Sequence, residues 1–94
     1  MIKYNQGTLD KLEAISEQGG YILRYERGTF QSGYCILEDK KVVVLNKFLQ
    51  TEGRINTLLE LIPQLEINPE QLEEGLQKLY VEAIRNSVPE DEGW

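Results

Sequence analysis

Three helical stripes and a central block of alternating residues organise the chain. Leu9, Leu12 and Ile15 recur every three residues and predict a first helix, with Thr8 as its N-cap and Asp10 in the first turn, where the helix dipole favours an anion. Gly19-Gly20 ends it. From Tyr21 the period falls to two: Tyr21, Leu23 and Tyr25 face one way, and Ile22, Arg24 and Glu26 face the other, which predicts a half-buried strand. Gly28 closes that strand. A second strand over residues 33–38 alternates Tyr34, Ile36 and Glu38 with Gly33, Cys35 and Leu37. Asp39-Lys40 then turns the chain into a third strand over residues 41–46. That last strand contains Val42, Val43, Val44 and Leu45, which are apolar on both pleat faces, so each side of the sheet requires a cover.

Thr51 is the expected cap of a second helix, whose Ile55, Leu58, Leu59 and Ile62 fall at i, i+3, i+4 and i+7. Pro63 breaks or kinks it, because proline cannot donate to the carbonyl of Leu59. Asn68-Pro69-Glu70 restarts a helix with cap, proline and acid in the favoured order. Its seam runs through Leu72, Leu76, Leu79, Tyr80, Ala83 and Ile84. The expected fold is therefore α+β in the order α-β-β-β-α-α, an antiparallel three-stranded meander packed by helices. It forms one domain over residues 1–87, followed by a flexible acidic tail, residues 88–94. The first two helices cover one sheet face. The second face needs the third helix or another subunit, and a homodimer through the C-terminal helix or a sheet face is expected.

The composition narrows the function classes. A domain of 94 residues buries about 60 to 65% of its unfolded surface, a thin margin that dimerisation would widen. The longest apolar run has four residues against the ~20 of a membrane span, so no membrane partner is expected. The first residues lack the apolar stretch of a secretory signal, and a lone cysteine cannot form an intrachain disulfide, which fits a cytoplasmic location. The net charge of -6 is uneven: residues 20–54 carry six basic groups against four acidic, and residues 55–94 carry nine acidic groups against Lys78 and Arg85. An acidic exposed helix surface keeps a small protein in solution.

No catalytic, cofactor or metal residue is assigned. The chain has no histidine, which excludes Ser-His-Asp and Cys-His nucleophile systems and any His-ligated zinc site. Cys35 reads as a buried structural thiol; reactivity would need a cation, for which Arg24 across the strand pair is the candidate. Glu70, Glu73 and Glu74 read as a solvated helix surface, and residues 28–33 as a loop with two positive-φ glycines and not as a phosphate loop. Tyr21, Tyr25, Phe30 and Tyr34 with Arg24, Arg27 and Lys41 are the ingredients of an RNA-stacking surface, but the net charge opposes a polyanion and nucleic acid is not the expected partner.

The order helix, strand, glycine-containing connection, hairpin ending in an Asn and Arg-led helix, over about residues 8–63, resembles the core of the ImmA/IrrE-type zinc metallopeptidases. Their helix carries the run Arg-Phe-Thr-Leu-Ala-His-Glu-Leu-Gly-His. Here the matching stretch is Arg54-Ile55-Asn56-Thr57-Leu58-Leu59-Glu60-Leu61-Ile62-Pro63. Arg54, Glu60 and Leu61 agree, whereas Leu59 and Pro63 replace both ligand histidines. The resemblance implies a domain without peptidase chemistry, because Glu60 has no metal-bound water to activate.

The expected function is that of a small non-enzymatic interaction module or subunit that self-associates or docks on a protein partner. Its candidate surfaces are a sheet face with Ile22, Arg24 and Tyr34, the neighbouring Lys41, the C-terminal helix with Leu76, Tyr80 and Ile84, and Trp94 as a tail anchor. The alternatives are an RNA- or ribosome-associated module using the sheet tyrosines and arginines, a catalytically degenerate metallopeptidase-like domain, and an enzyme whose site forms only at a dimer interface.

Overall fold

A computed structural model describes residues 2–28 and 32–87, so the expectations for the acidic tail and Trp94 lie outside the described residues. The order is α1 (Gln6–Gln18), β1 (Tyr21–Glu26), β2 (Gly33–Leu37), β3 (Lys40–Asn46), α2 (Thr51–Leu61) and α3 (Glu74–Ser87), with two 3-10 turns, Ile62–Gln64 and Pro69–Gln71, between the last two helices. The fold is α+β, in the expected order of elements.

The sheet itself differs from the expected meander. Its strand order is β1-β3-β2, with β1 parallel and β2 antiparallel to β3. Parallel neighbours need a long crossover, and here β2 with its flanking loops provides it. The doubly apolar run Val42 to Leu45 explains the arrangement. A strand with neighbours on both sides shields its apolar groups better than an edge strand does, and β3 takes the middle. Val43 and Leu45 are fully buried on the helix side, while Val42 and Val44 on the opposite side are only half-buried.

Asn46, at the end of β3, binds Gly28 and Ser32, which lie after β1 and before β2. Its side-chain amide donates to the carbonyl of Gly28 at 3.0 Å, and its backbone N–H donates to Ser32 Oγ at 2.8 Å. Its Oδ1 accepts from the N–H of Phe48, and Lys47 N–H donates to the carbonyl of Glu26. Of the two glycines expected at positive φ in this loop, Gly28 has it, at 151°, whereas Gly33 lies in the strand without it. The hairpin turn is Glu38-Asp39, one residue earlier than expected, and Glu38 adopts a φ of 55° that side chains rarely take.

Helix boundaries also shift. The α1 helix begins two residues before Thr8, and its cap is Asn5, whose Oδ1 accepts from Thr8 N–H at 2.9 Å. Gln50 takes the cap position of α2 in place of Thr51, and its side chain makes no capping hydrogen bond. Asn68 does cap, accepting from Glu70 N–H, but it starts a single 3-10 turn, and α3 begins only at Glu74. The apolar stripes read from the sequence form the core. Leu9, Leu12, Ile15, Ile55, Leu58 and Ile62 are all buried, together with Tyr21, Val43 and Leu45 from the sheet.

The third helix does not cover the second sheet face. It packs against α1, α2 and the turn at Ile62–Gln64, burying Leu76, Tyr80 and Ala83 within the chain's own core. The helices therefore form one layer system on one side of the sheet, and the Ile22, Val42 and Val44 side carries no helix among the described residues.

Candidate interaction surface

Strand register decides which side chains share a face. Ile22 opposes Val42 and Arg24 opposes Val44 across the parallel pair, and Cys35 opposes Val42 across the antiparallel pair. These residues occupy the open side of the sheet. Ile22 is 48% exposed, Cys35 is a free, exposed thiol, and Arg24 forms an ion pair with Glu26 at 2.9 Å on the same strand. The result is an apolar strip bordered by a charge pair, the composition of a contact patch with a polar rim.

Tyr34 does not join this face. It opposes Val43 and so points to the helix side, as does Ile36, yet both lie beyond the helices and remain 39% and 46% exposed. Lys41 opposes Tyr21 on the helix side as well. Its ammonium sits 5.6 Å from the Tyr21 ring centroid and 3.4 Å from Glu66. Tyr21 in turn accepts a hydrogen bond from the Glu66 backbone N–H, so these three residues tie β1 and β3 to the segment after the first 3-10 turn. Arg24, Tyr34 and Lys41 thus do not converge on one concave basic surface.

Cys35, expected to be buried, is exposed, because its side of the sheet carries no helix among the described residues, and it is separated from Arg24. The two strands that were expected to pair have β3 between them, and Arg24 is engaged with Glu26. Leu76 and Tyr80 are 7% exposed and Ile84 is half-buried against the core, so the C-terminal helix uses this seam internally. Glu70, Glu73 and Glu74 are exposed, and among the described residues no group of three or more potential ligands could hold a metal.

Sequence reasoning missed a polar cluster that joins three elements. Tyr25 donates its hydroxyl to Glu13 of α1, and the Arg54 guanidinium lies 4.5 Å over the Tyr25 ring. Arg54 also donates to the carbonyls of Leu49 at 2.8 Å and Lys47 at 3.0 Å. Burial, and then the Glu13 carboxylate, push the Tyr25 hydroxyl above the ordinary tyrosine range, while the Arg54 cation acts in the opposite direction. Because the three groups satisfy one another, the cluster is a tie between α1, β1 and α2. Its members are 12 and 29 positions from Tyr25, spacings that no local motif reveals.

No helix among the described residues is long and apolar enough to cross a membrane. Comparison of the chain with protein-family models, curated proteins and solved structures gives no match.

Proposed function

We propose that this chain is a small protein-interaction module without catalysis of its own, whose working surface is the open sheet face around Ile22, Arg24, Val42 and Val44. The observation that carries the reading is the one-sided helix layer, which leaves Ile22 48% exposed beside two half-buried valines. An apolar strip on a sheet gains by burial, at roughly 25 cal/mol per Å², when a partner covers it. The Arg24–Glu26 pair at its border supplies orientation more than affinity. A reducing, cytoplasmic setting suits the exposed thiol of Cys35.

The test compares the wild-type chain with an Ile22→Glu, Val44→Glu double variant as baits in native lysate. Partners retained by the wild type and lost by a folded variant support the reading. Equal capture by both, or capture by neither, overturns it.

A further inference from the structure

Among the described residues, β2 is an edge strand with β3 as its only strand partner. Resting on the interaction-module reading above, we infer that two copies pair antiparallel along Gly33–Leu37, about a two-fold axis through Cys35, to join their sheets into one.

Three observations carry this. The first is hydrogen-bond parity. Asn46 N–H bonds toward the β2 side at Ser32, and Lys47 N–H bonds toward β1 at Glu26. Backbone groups alternate direction along a strand, so the even-numbered residues of β3 face β2. Val42 and Val44 therefore form the hydrogen-bonded pairs with Cys35 and Gly33. It follows that the N–H and C=O groups of Tyr34 and Ile36 point outward from the free edge.

The second is self-complementarity. Antiparallel pairing centred on Cys35 sets Tyr34 opposite Ile36 of the other copy, and Ile36 opposite its Tyr34. Each such pair exchanges two backbone hydrogen bonds, about four in all. The same register covers two of the most exposed apolar side chains on the sheet, each with the other, and no residue of either strand meets a like charge.

The third is that, among the described residues, the strand itself carries no guard. Strand edges are normally blunted by charge, proline or a bulge. The sequence Gly33-Tyr34-Cys35-Ile36-Leu37 has no charged residue and no proline, whereas the opposite edge strand, β1, carries Arg24 and Glu26. A head-to-tail contact of β1 on β2 would leave an unguarded β2 edge at one end and propagate, whereas pairing of β2 on itself buries both β2 edges and leaves only the charge-bearing β1 edges outside.

The axis gives a direct readout. Cys35 to Cys35 is a non-hydrogen-bonded antiparallel pair, with Cα atoms about 4.5 Å apart, within the roughly 4.4 to 6.8 Å that a disulfide spans. The chain has no other cysteine. In the test, reduced protein at about 10 µM is treated with diamide; the two thiols release two protons and two electrons, and diamide is reduced to its hydrazine. Pre-association should make Cys35 cross-link on the order of 100-fold faster than a Cys35→Ser, Arg24→Cys control, whose thiol sits at the far edge. Light scattering at about 100 µM should give a dimer for wild type and Cys35→Ser, and a monomer for Cys35→Lys, which sets two ammonium groups across the axis. The Ile22→Glu, Val44→Glu variant should remain a dimer.

Cross-linking at the control's rate, or a wild-type monomer at that concentration, overturns the pairing whether or not Cys35→Lys folds. If partner capture still depends on Ile22 and Val44 in that case, the module reading stands without the pairing. If the dimer forms as described and capture is indifferent to those residues, the pairing stands and the open-face reading fails.

Discussion

Replacing Asn46 by alanine should destabilise the protein by about 1 to 3 kcal/mol. The side chain donates to the carbonyl of Gly28 at 3.0 Å and accepts from Phe48 N–H at 3.0 Å, and each such bond contributes about 0.5 to 1.5 kcal/mol net. Asn46→Asp separates the two. It keeps the acceptor for Phe48 but turns a carboxylate toward the Gly28 carbonyl, so it should cost at least as much as the lost donor, about 1 kcal/mol. Ser32→Ala removes the bond from the Asn46 backbone N–H, at 2.8 Å, and should cost about 1 kcal/mol. Because both residues hold the same loop, the double variant should lose less than the sum, with a coupling of about 0.5 kcal/mol or more. Urea unfolding followed by far-UV circular dichroism measures each value, and for a domain of this size a loss of 1 kcal/mol lowers Tm by roughly 4 to 8 °C. Amide exchange gives the location: the Phe48 and Lys47 N–H groups should lose protection first. An Asn46→Ala protein within about 0.3 kcal/mol of wild type, or a loss of protection spread evenly over the molecule, would refute the reasoning.

Three further outcomes are expected. Gly19 is buried at the end of α1, and a Cβ there would meet Ile67 Cγ1 at 2.6 Å, so Gly19→Ala should cost about 1 to 3 kcal/mol by overpacking; pairing it with Ile67→Ala should recover at least about 1 kcal/mol of the summed losses in a double-mutant cycle. The Tyr25 hydroxyl has a folded pKa raised above its unfolded value near 10, so its contribution is complete below about pH 10 and is lost as the pH rises further; Tyr25→Phe should cost about 1 to 2 kcal/mol at pH 7 and flatten that alkaline decline, measured by unfolding across pH 7 to about 11.5. Glu38→Gly should raise stability by about 0.5 to 1 kcal/mol, because glycine takes the φ of 55° without the Cβ conflict; a lower Tm in the variant would contradict this.

The sequence was most legible where one local rule acts alone. Leu9, Leu12 and Ile15, and Ile55 with Leu58, lie on the buried stripes that their spacing predicts, since a helix fixes its own face within four residues. Alternation likewise puts Tyr21 and Ile22 on opposite sides of the sheet, one buried and one exposed. Strand order was not legible, because consecutive strands are usually neighbours, and here the four consecutive apolar residues of β3 override that preference by favouring the central position. The misplacement of Tyr34 followed from the same source: its face depends on which β3 residue it opposes. Asn68 shows a different limit. Its capping chemistry was read correctly, but one 3-10 turn satisfies it as well as a long helix does, and the chain takes the short option before α3. The open face held Ile22 and Arg24 as expected, while Leu76 and Tyr80 proved to be core, since an apolar helix seam looks the same whether the chain's own helices or a partner covers it.

The insertion of β3 between β1 and β2 also sets an order of events during synthesis and refolding. When β1 and β2 have both been made, neither has its partner, and all sheet pairing waits for residues 40–46. The β2-β3 hairpin is local and closes in microseconds, whereas the parallel β1-β3 pair joins positions 20 residues apart, as in Tyr21 and Lys41, and carries the larger loop-closure cost. A nascent chain therefore presents the unguarded β2 segment before its strand partner exists, and the interval is closed by the arrival of four consecutive apolar residues.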